Sequence, residues 1–175
     1  MRYLRRFLWF VTVRLFGVVL VGALLVAVFY LAMNITNIMI LLSDGMTERA
    51  RVITRIETDD TLLRKFFTDD SIASDLDLSL ALTDSGIYGN YDVSAIDVRE
   101  DIQWVWTWPW DSSASATVSE SMESIDGSIN AGKRDAVIAQ YGEGAVNLPE
   151  WQNVTYKVTL TRIDGRWIIS GIMKE

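Results

Sequence analysis

Apolar and polar positions change their spacing along this chain, and each change marks a different kind of element. From Leu15 to Ser43 no side chain carries charge, and Leu15–Met33, LFGVVLVGALLVAVFYLAM, is apolar on every side of a helix. Those residues span about 28 Å at ~1.5 Å per residue, close to the ~30 Å hydrocarbon core of a bilayer. The run predicts a membrane-spanning helix, because a domain this small rarely builds a core around a helix that is apolar all round. Beyond it, Asn34, Thr36 and Asn37 begin a polar stripe, while Ile35, Ile38, Met39, Leu41 and Leu42 keep an apolar face at helical spacing. That continuation is either an overlong, tilted span or a stalk helix whose apolar face packs on a partner. Gly45 is the first expected break.

The following stretch holds shorter helical signals. Thr47–Arg55 reads as a helix start with Thr47 as cap, and Asp59-Asp60 precede a second short helix at Thr61–Phe67, with Leu62, Leu63, Phe66 and Phe67 on one face. Asp69–Asn90 is acidic and turn-rich, and reads as loop or short helix. Then the period falls to two. Ile96, Val98, Glu100, Ile102, Trp104, Trp106 and Trp108 alternate with Asp97, Arg99, Asp101, Gln103, Val105 and Thr107, a half-buried strand with a bulge expected near Glu100. Pro109 ends it and Trp110–Ser113 turns the chain. Ala114, Ala116, Val118 and Met122 alternate with serines and threonines in a second strand, Ile125–Ser128 reads as a turn, and residues 130–150 read as an inserted loop with a short helix near Arg134–Gln140. Val154–Thr161, Asp164-Gly165 and Trp167–Met173 form a hairpin.

Charge divides the chain unevenly. Residues 1–42 contain Arg2, Arg5, Arg6 and Arg14 and no acid; the rest holds the other 12 basic residues and all 23 acidic ones, for a charge of −11. The positive-inside rule places the N-terminus in the cytoplasm, with Trp9 and Phe10 at the inner interface. A cleaved signal peptide fits less well, because the run is long and no small-residue cleavage site follows. The expected division is a basic cytoplasmic tail (1–14), a transmembrane and stalk helix (15–42) and an extracytoplasmic domain (43–175). Such an acidic domain repels phosphate backbones, so nucleic acid is not an expected partner. Cys and His are both absent, which removes serine–histidine and cysteine–histidine catalysis, disulfides and the usual zinc sites. No catalytic residue, cofactor or metal ligand is expected.

The residues that stand out are Trp104, Trp106, Trp108 and Trp110. At period two they share one face of a strand and act as one apolar surface. They either line the concave core between sheet and helices, or form a binding face for a peptide or apolar ligand, or make a membrane-interface belt. Trp108 and Trp110, nearest the turn, are the pair expected to be more exposed. Asp69, Asp70, Asp75 and Asp77 lack the glycine and terminal glutamate of a calcium loop and read as solvated charge. The glycosylation-type triplets at Asn34 and Asn153 lie too near the bilayer and in a strand, and read as chance.

Helices followed by antiparallel strands ending in VTYKVTLTRIDGRWIISGI resemble the nuclear transport factor 2-like (cystatin-like) superfamily, whose last hairpin often carries an aromatic–aliphatic strand, an Asp-Gly turn, then Trp and alternating Ile or Val. Here those are Tyr156–Leu160, Asp164-Gly165, Trp167, Ile169 and Ile172. The resemblance implies an α+β fold, helices packed on a curved antiparallel sheet, behind the membrane helix. The anchor with such a domain is also similar to bitopic scaffold subunits of bacterial type IV secretion and Gram-positive conjugation machines, which implies a non-catalytic domain that oligomerises and contacts protein partners beside the lipid bilayer. A ligand-binding or sensory domain with a Trp-lined pocket is the alternative expectation. An isomerase- or hydrolase-like enzyme is a third, weakened because Asp97 and Asp101 fall on the polar face of their strand.

Overall fold

The computed structural model describes residues 2–175, apart from the side chains of Arg2 and Leu4. Its first element is one unbroken helix, α1, Arg2–Ile53. From Arg5 to Met33 the side chains are exposed, with only Gly17, Ala27 and Leu31 partly covered. From Asn34 onward a stripe turns inward: Asn34, Ile38, Leu42, Met46, Arg49 and Ile53 are buried at steps of four and three, the repeat that keeps one helical face on the core. The apolar continuation beyond Met33 therefore packs within its own domain, while Met39 and Ile40 stay outside.

The expected break at Gly45 does not occur, and Thr47 does not cap a new helix. Glycine in a helix interior costs ~1 kcal/mol relative to alanine, but here tertiary contact decides. A Cβ on Gly45 would lie 3.1 Å from Ile169 Cδ1 and 3.2 Å from Phe66 Cβ, so the missing side chain lets α1 approach its neighbours closely. Thr47 instead donates from Oγ1 to Glu100 Oε1 at 2.6 Å. The helix that carries the apolar run is thus also the helix at the centre of the core.

After α1, a single 3-10 turn at Leu63–Lys65 replaces the longer helix expected there, with Leu63 and Phe67 buried as the face pattern required. The turn-rich acidic stretch contains two capped helices. In α2 (Asp69–Ser74) the Thr68 side chain accepts from Ser71 N, and in α3 (Leu76–Leu82) the Asp75 side chain accepts from Asp77 N and Leu78 N. These are N-cap bonds that satisfy amides with no partner inside the helix.

Four strands follow: β1 Tyr91–Trp106, β2 Ser113–Ile129, β3 Val154–Ile163 and β4 Arg166–Lys174, in one antiparallel sheet ordered β1-β2-β3-β4. The turn expected at Ile125–Ser128 is part of β2, pairing Ile125 with Ile96 and Ser128 with Asp92. Gly127 permits this, since a Cβ there would stand 2.6 Å from Asp92 O beside the bulge at Ser94. The helix in the β2–β3 connection, α4, spans Arg134–Tyr141. The last hairpin closes through Asp164 and Gly165, both at positive φ (50° and 80°), as a two-residue turn matching strand twist requires. The core joins Ile38, Leu42 and Met46 of α1 to Val118, Val158, Leu160, Trp167 and Ile169 of the sheet. The architecture is α+β.

Candidate functional site

Register shifts in β1 decide where the tryptophans point. Val93, Ile96, Val98, Glu100 and Ile102 are partly covered on the helix side; Ile102 then pairs with Val118 but Trp104 with Thr117, so Gln103 is an extra residue on β1. A bulge of one residue reverses every later side chain. Val105 and Thr107 take the inward positions, and Trp104, Trp106, Trp108 and Trp110 project outward with 53, 52, 48 and 74% of their surface exposed. The core-lining reading is therefore incorrect: the bulge was expected near Glu100 with all even positions on one face, whereas shifts occur at Ser94, Gln103 and, on β2, Glu123. Trp110 is the most exposed of the four, as its place in the turn implied, while Trp108 is the least.

The rings stack on one another. Centroids of Trp104 and Trp106 lie 5.9 Å apart with planes 2° from parallel, Trp106 and Trp108 meet edge-on at 5.6 Å and 77°, and Trp108 and Trp110 stack at 5.6 Å and 14°. Aromatic pairs of this kind contribute ~0.5–1.5 kcal/mol each beyond area burial, which orders a ladder that the core does not hold. Beside it Ser115, Thr117 and Ser119 of β2 pair with Thr159, Lys157 and Thr155 of β3. A contiguous apolar strip along an edge strand, bordered by hydroxyls, has the composition of an interaction surface.

The end of the ladder is tied to the helix. Asn34 Nδ2 donates to Pro109 O at 3.2 Å, and Arg162 Nη2 donates to Asn34 Oδ1 at 2.7 Å. One buried amide therefore holds the β1–β2 turn and the β3–β4 hairpin to α1, immediately beyond the apolar run.

A second feature lies inside the domain. Arg49, on the buried stripe of α1, places Nε 2.7 Å from Asp75 Oδ2, Nη2 3.3 Å from Asp77 Oδ2 and Nη1 3.6 Å from Glu120 Oε2. It also donates to Tyr156 Oη at 3.3 Å and sits 4.9 Å from the centre of that ring. Burial alone would depress the Arg49 pKa, but Asp75, Tyr156 and Glu120 outweigh it and hold it above its ordinary value. Glu120 is fully enclosed and neither carboxylate oxygen makes a hydrogen bond among the described residues. Burial pushes its pKa up to about 7 against the pull of Arg49. Asp77 is held below the usual carboxylate range, because Lys174 at 2.9 Å and Arg49 outweigh its desolvation.

Solvated charge thus describes Asp69 and Asp70, but not Asp75, which is buried between Arg49 and the start of α3. The guanidinium occupies the place a cation would take, and among the described residues no group of three or more His, Cys, Asp or Glu is arranged to hold a metal. The cavity beside Tyr156 measures about 110 Å³ and is lined by Ile53, Asp77, Leu80, Trp151, Tyr156 and Lys174 among others; Trp104, Trp106, Trp108 and Trp110 are not part of it. Ligand pockets generally enclose ~300–1,000 Å³. Arg49 and Glu120 are not among the site residues expected from the sequence, although both stand in plain patterns. Arg49 falls on the stripe with Met46 and Ile53, and Glu120 falls on the inward parity of Ala114, Ala116 and Val118.

No protein-family profile, curated protein or solved structure matches the chain.

Proposed function

We propose that this chain is a membrane-anchored, non-catalytic scaffold or assembly protein, N-terminus in the cytoplasm, whose extracytoplasmic domain of nuclear transport factor 2-like type binds protein partners or a second copy. The observation that carries this reading is the continuity of α1, exposed and apolar from Leu15 to Met33 and the centre of the core from Asn34 to Ile53. One helix in the described chain is long and apolar enough to cross a membrane. Cleavage after the apolar run, as for a signal peptide, would strand Ile38, Leu42 and Met46 on a helix with a new, uncapped end inside the core, which favours a permanent anchor. Arg5, Arg6 and Arg14 on one flank and Asp44 as the first charge on the other support the orientation.

Two further observations support a binding role over chemistry. The carboxyl with the most perturbed environment, Glu120, is sealed beneath the sheet where no substrate reaches it. The exposed tryptophan ladder, by contrast, is open along its length. A partner seated on its upper rungs, Trp104 and Trp106, would bury apolar area of the kind that dominates binding energy. The proposal resembles the non-catalytic bitopic subunits of secretion and conjugation machines in layout.

The test uses the full-length chain, which has no native cysteine. A cysteine at Ser128 should react with an impermeant thiol reagent on intact cells and one at Arg5 should not; the reverse would overturn the orientation. Complexes purified from the same membranes should be lost in Trp104→Ala/Trp106→Ala at unchanged protein level. Complexes that persist unchanged would remove the partner-binding role from this face.

A further inference from the structure

Two hydrogen bonds fix the height of β1 against α1. Asn34 is level with Pro109, and thirteen residues along the helix Thr47 is level with Glu100, nine residues back along the chain. The helix climbs about 20 Å between those points, while nine residues fully extended cover about 30 Å. Each β1 residue thus gains roughly 2 Å along the helix axis, the strand lying inclined to it. On that scale Trp110 and Trp108 lie within about 2 Å of the Asn34 level, Trp106 about 7 Å above it and Trp104 about 11 Å above it.

The hydrocarbon core that Leu15–Met33 spans ends near Asn34, and the headgroup zone beyond it is roughly 5–8 Å deep. We propose that Trp108 and Trp110, with Trp106 at the rim, lie in the interfacial zone of the same bilayer that α1 crosses, so that the β1–β2 turn seats the domain on the membrane surface. This rests on the anchor reading above. The occupant of the lower ladder follows from continuity, since the turn is bonded to the helix where the apolar span ends, and indole rings partition to the headgroup level with the ring in the apolar boundary and the N–H in water.

The charges at this end do not select a lipid sign. Asp111 and Asp164 in the two membrane-proximal turns stand with Arg162 and Arg166 at the adjoining strand ends, and Arg162 is engaged with Asn34 and lies 4.5 Å from the centre of the Trp167 ring. A zwitterionic bilayer therefore suffices. The ladder is divided by height: lower rungs to lipid, upper rungs to a partner.

The experiment uses the full chain with Trp9→Phe, which removes the tryptophan at the other interface, reconstituted in phosphatidylcholine vesicles with or without lipid brominated near the top of the acyl chains. Bromine quenches tryptophan only at close range. The parent should be quenched, Trp104→Phe/Trp106→Phe should keep most of that quenching, and Trp108→Phe/Trp110→Phe should lose it by about twofold or more. Flotation of the same vesicles separates the two ideas. A chain that floats, yet whose Trp108→Phe/Trp110→Phe form is quenched like the parent, overturns the seating and leaves the anchor standing. A chain that does not float overturns both.

Discussion

Glu120→Gln should make the domain more stable at neutral and alkaline pH, and the gain should vanish in acid. In the fold the carboxyl is enclosed and titrates at about 7, whereas in the unfolded chain it returns to ~4.3. The native state therefore binds its proton more tightly, and stability falls as pH rises through that window. Below about pH 4 both states are protonated and Glu120 costs nothing. Above about pH 7.5 the cost is complete, roughly 4 kcal/mol at ~1.36 kcal/mol per tenfold difference in proton affinity. The attraction of Arg49 is already contained in that balance. Glutamine matches the shape of the protonated acid and cannot ionise, and Arg49 keeps Asp75 at 2.7 Å and Asp77 at 3.3 Å. Thermal unfolding of the full-length protein in nanodiscs at pH 8 should show the midpoint of Glu120→Gln raised by roughly 8–16 °C. At pH 3.5 the two proteins should coincide closely. The depressed pKa of Asp77 works in the opposite sense, stabilising at neutral pH and fading in acid, but it is common to both proteins and cancels in the difference. A glutamine variant less stable than the parent at pH 8, or a difference independent of pH, would refute the buried, poorly solvated carboxylate.

Arg49→Met leaves Asp75 and Glu120 facing each other without a cation and should cost ~3–5 kcal/mol at pH 8 in chemical unfolding, with part recovered in Arg49→Met/Glu120→Gln. Trp167→Ala removes a buried ring between the last hairpin and α1 and should cost ~3–5 kcal/mol, while Trp110→Ala, on the same assay, should change stability by less than ~1 kcal/mol. Gly45→Leu should destabilise by at least ~1–3 kcal/mol, because its side chain would enter the space held by Ile169 and Phe66; a neutral result would mean that α1 is free to move away from β4.

The elements governed by local rules were legible in the sequence. Alternation from Val154, the Asp164-Gly165 turn and the return through Trp167 needed no long-range information, and the uniformly apolar run needed only its length. What escaped depended on contacts between distant segments. Gly45 reads as a stop until Phe66 and Ile169 are known to press against it, and Gly127 reads as a turn until Asp92 and Val93 lie across from it. The single residue Gln103 reversed four tryptophans, and no local pattern marks which residue of a long strand will be left unpaired. Arg49 and Glu120 were hidden differently: each broke an apolar series, and a charge at a position that periodicity assigns to the core is itself the signal of a buried pair.

The absence of a joint in α1 has a geometric consequence. A helix turns ~100° and rises ~1.5 Å with every residue, so the azimuth of the domain about the axis of α1 is locked in phase with the apolar run. One residue inserted near Leu31 would swing the tryptophan edge through about a quarter-turn, whereas seven would restore its bearing to within ~20° and lift it about 10 Å. Whatever this edge meets, it meets at one angle relative to the apolar run, and rotation of that run is transmitted to it without slack.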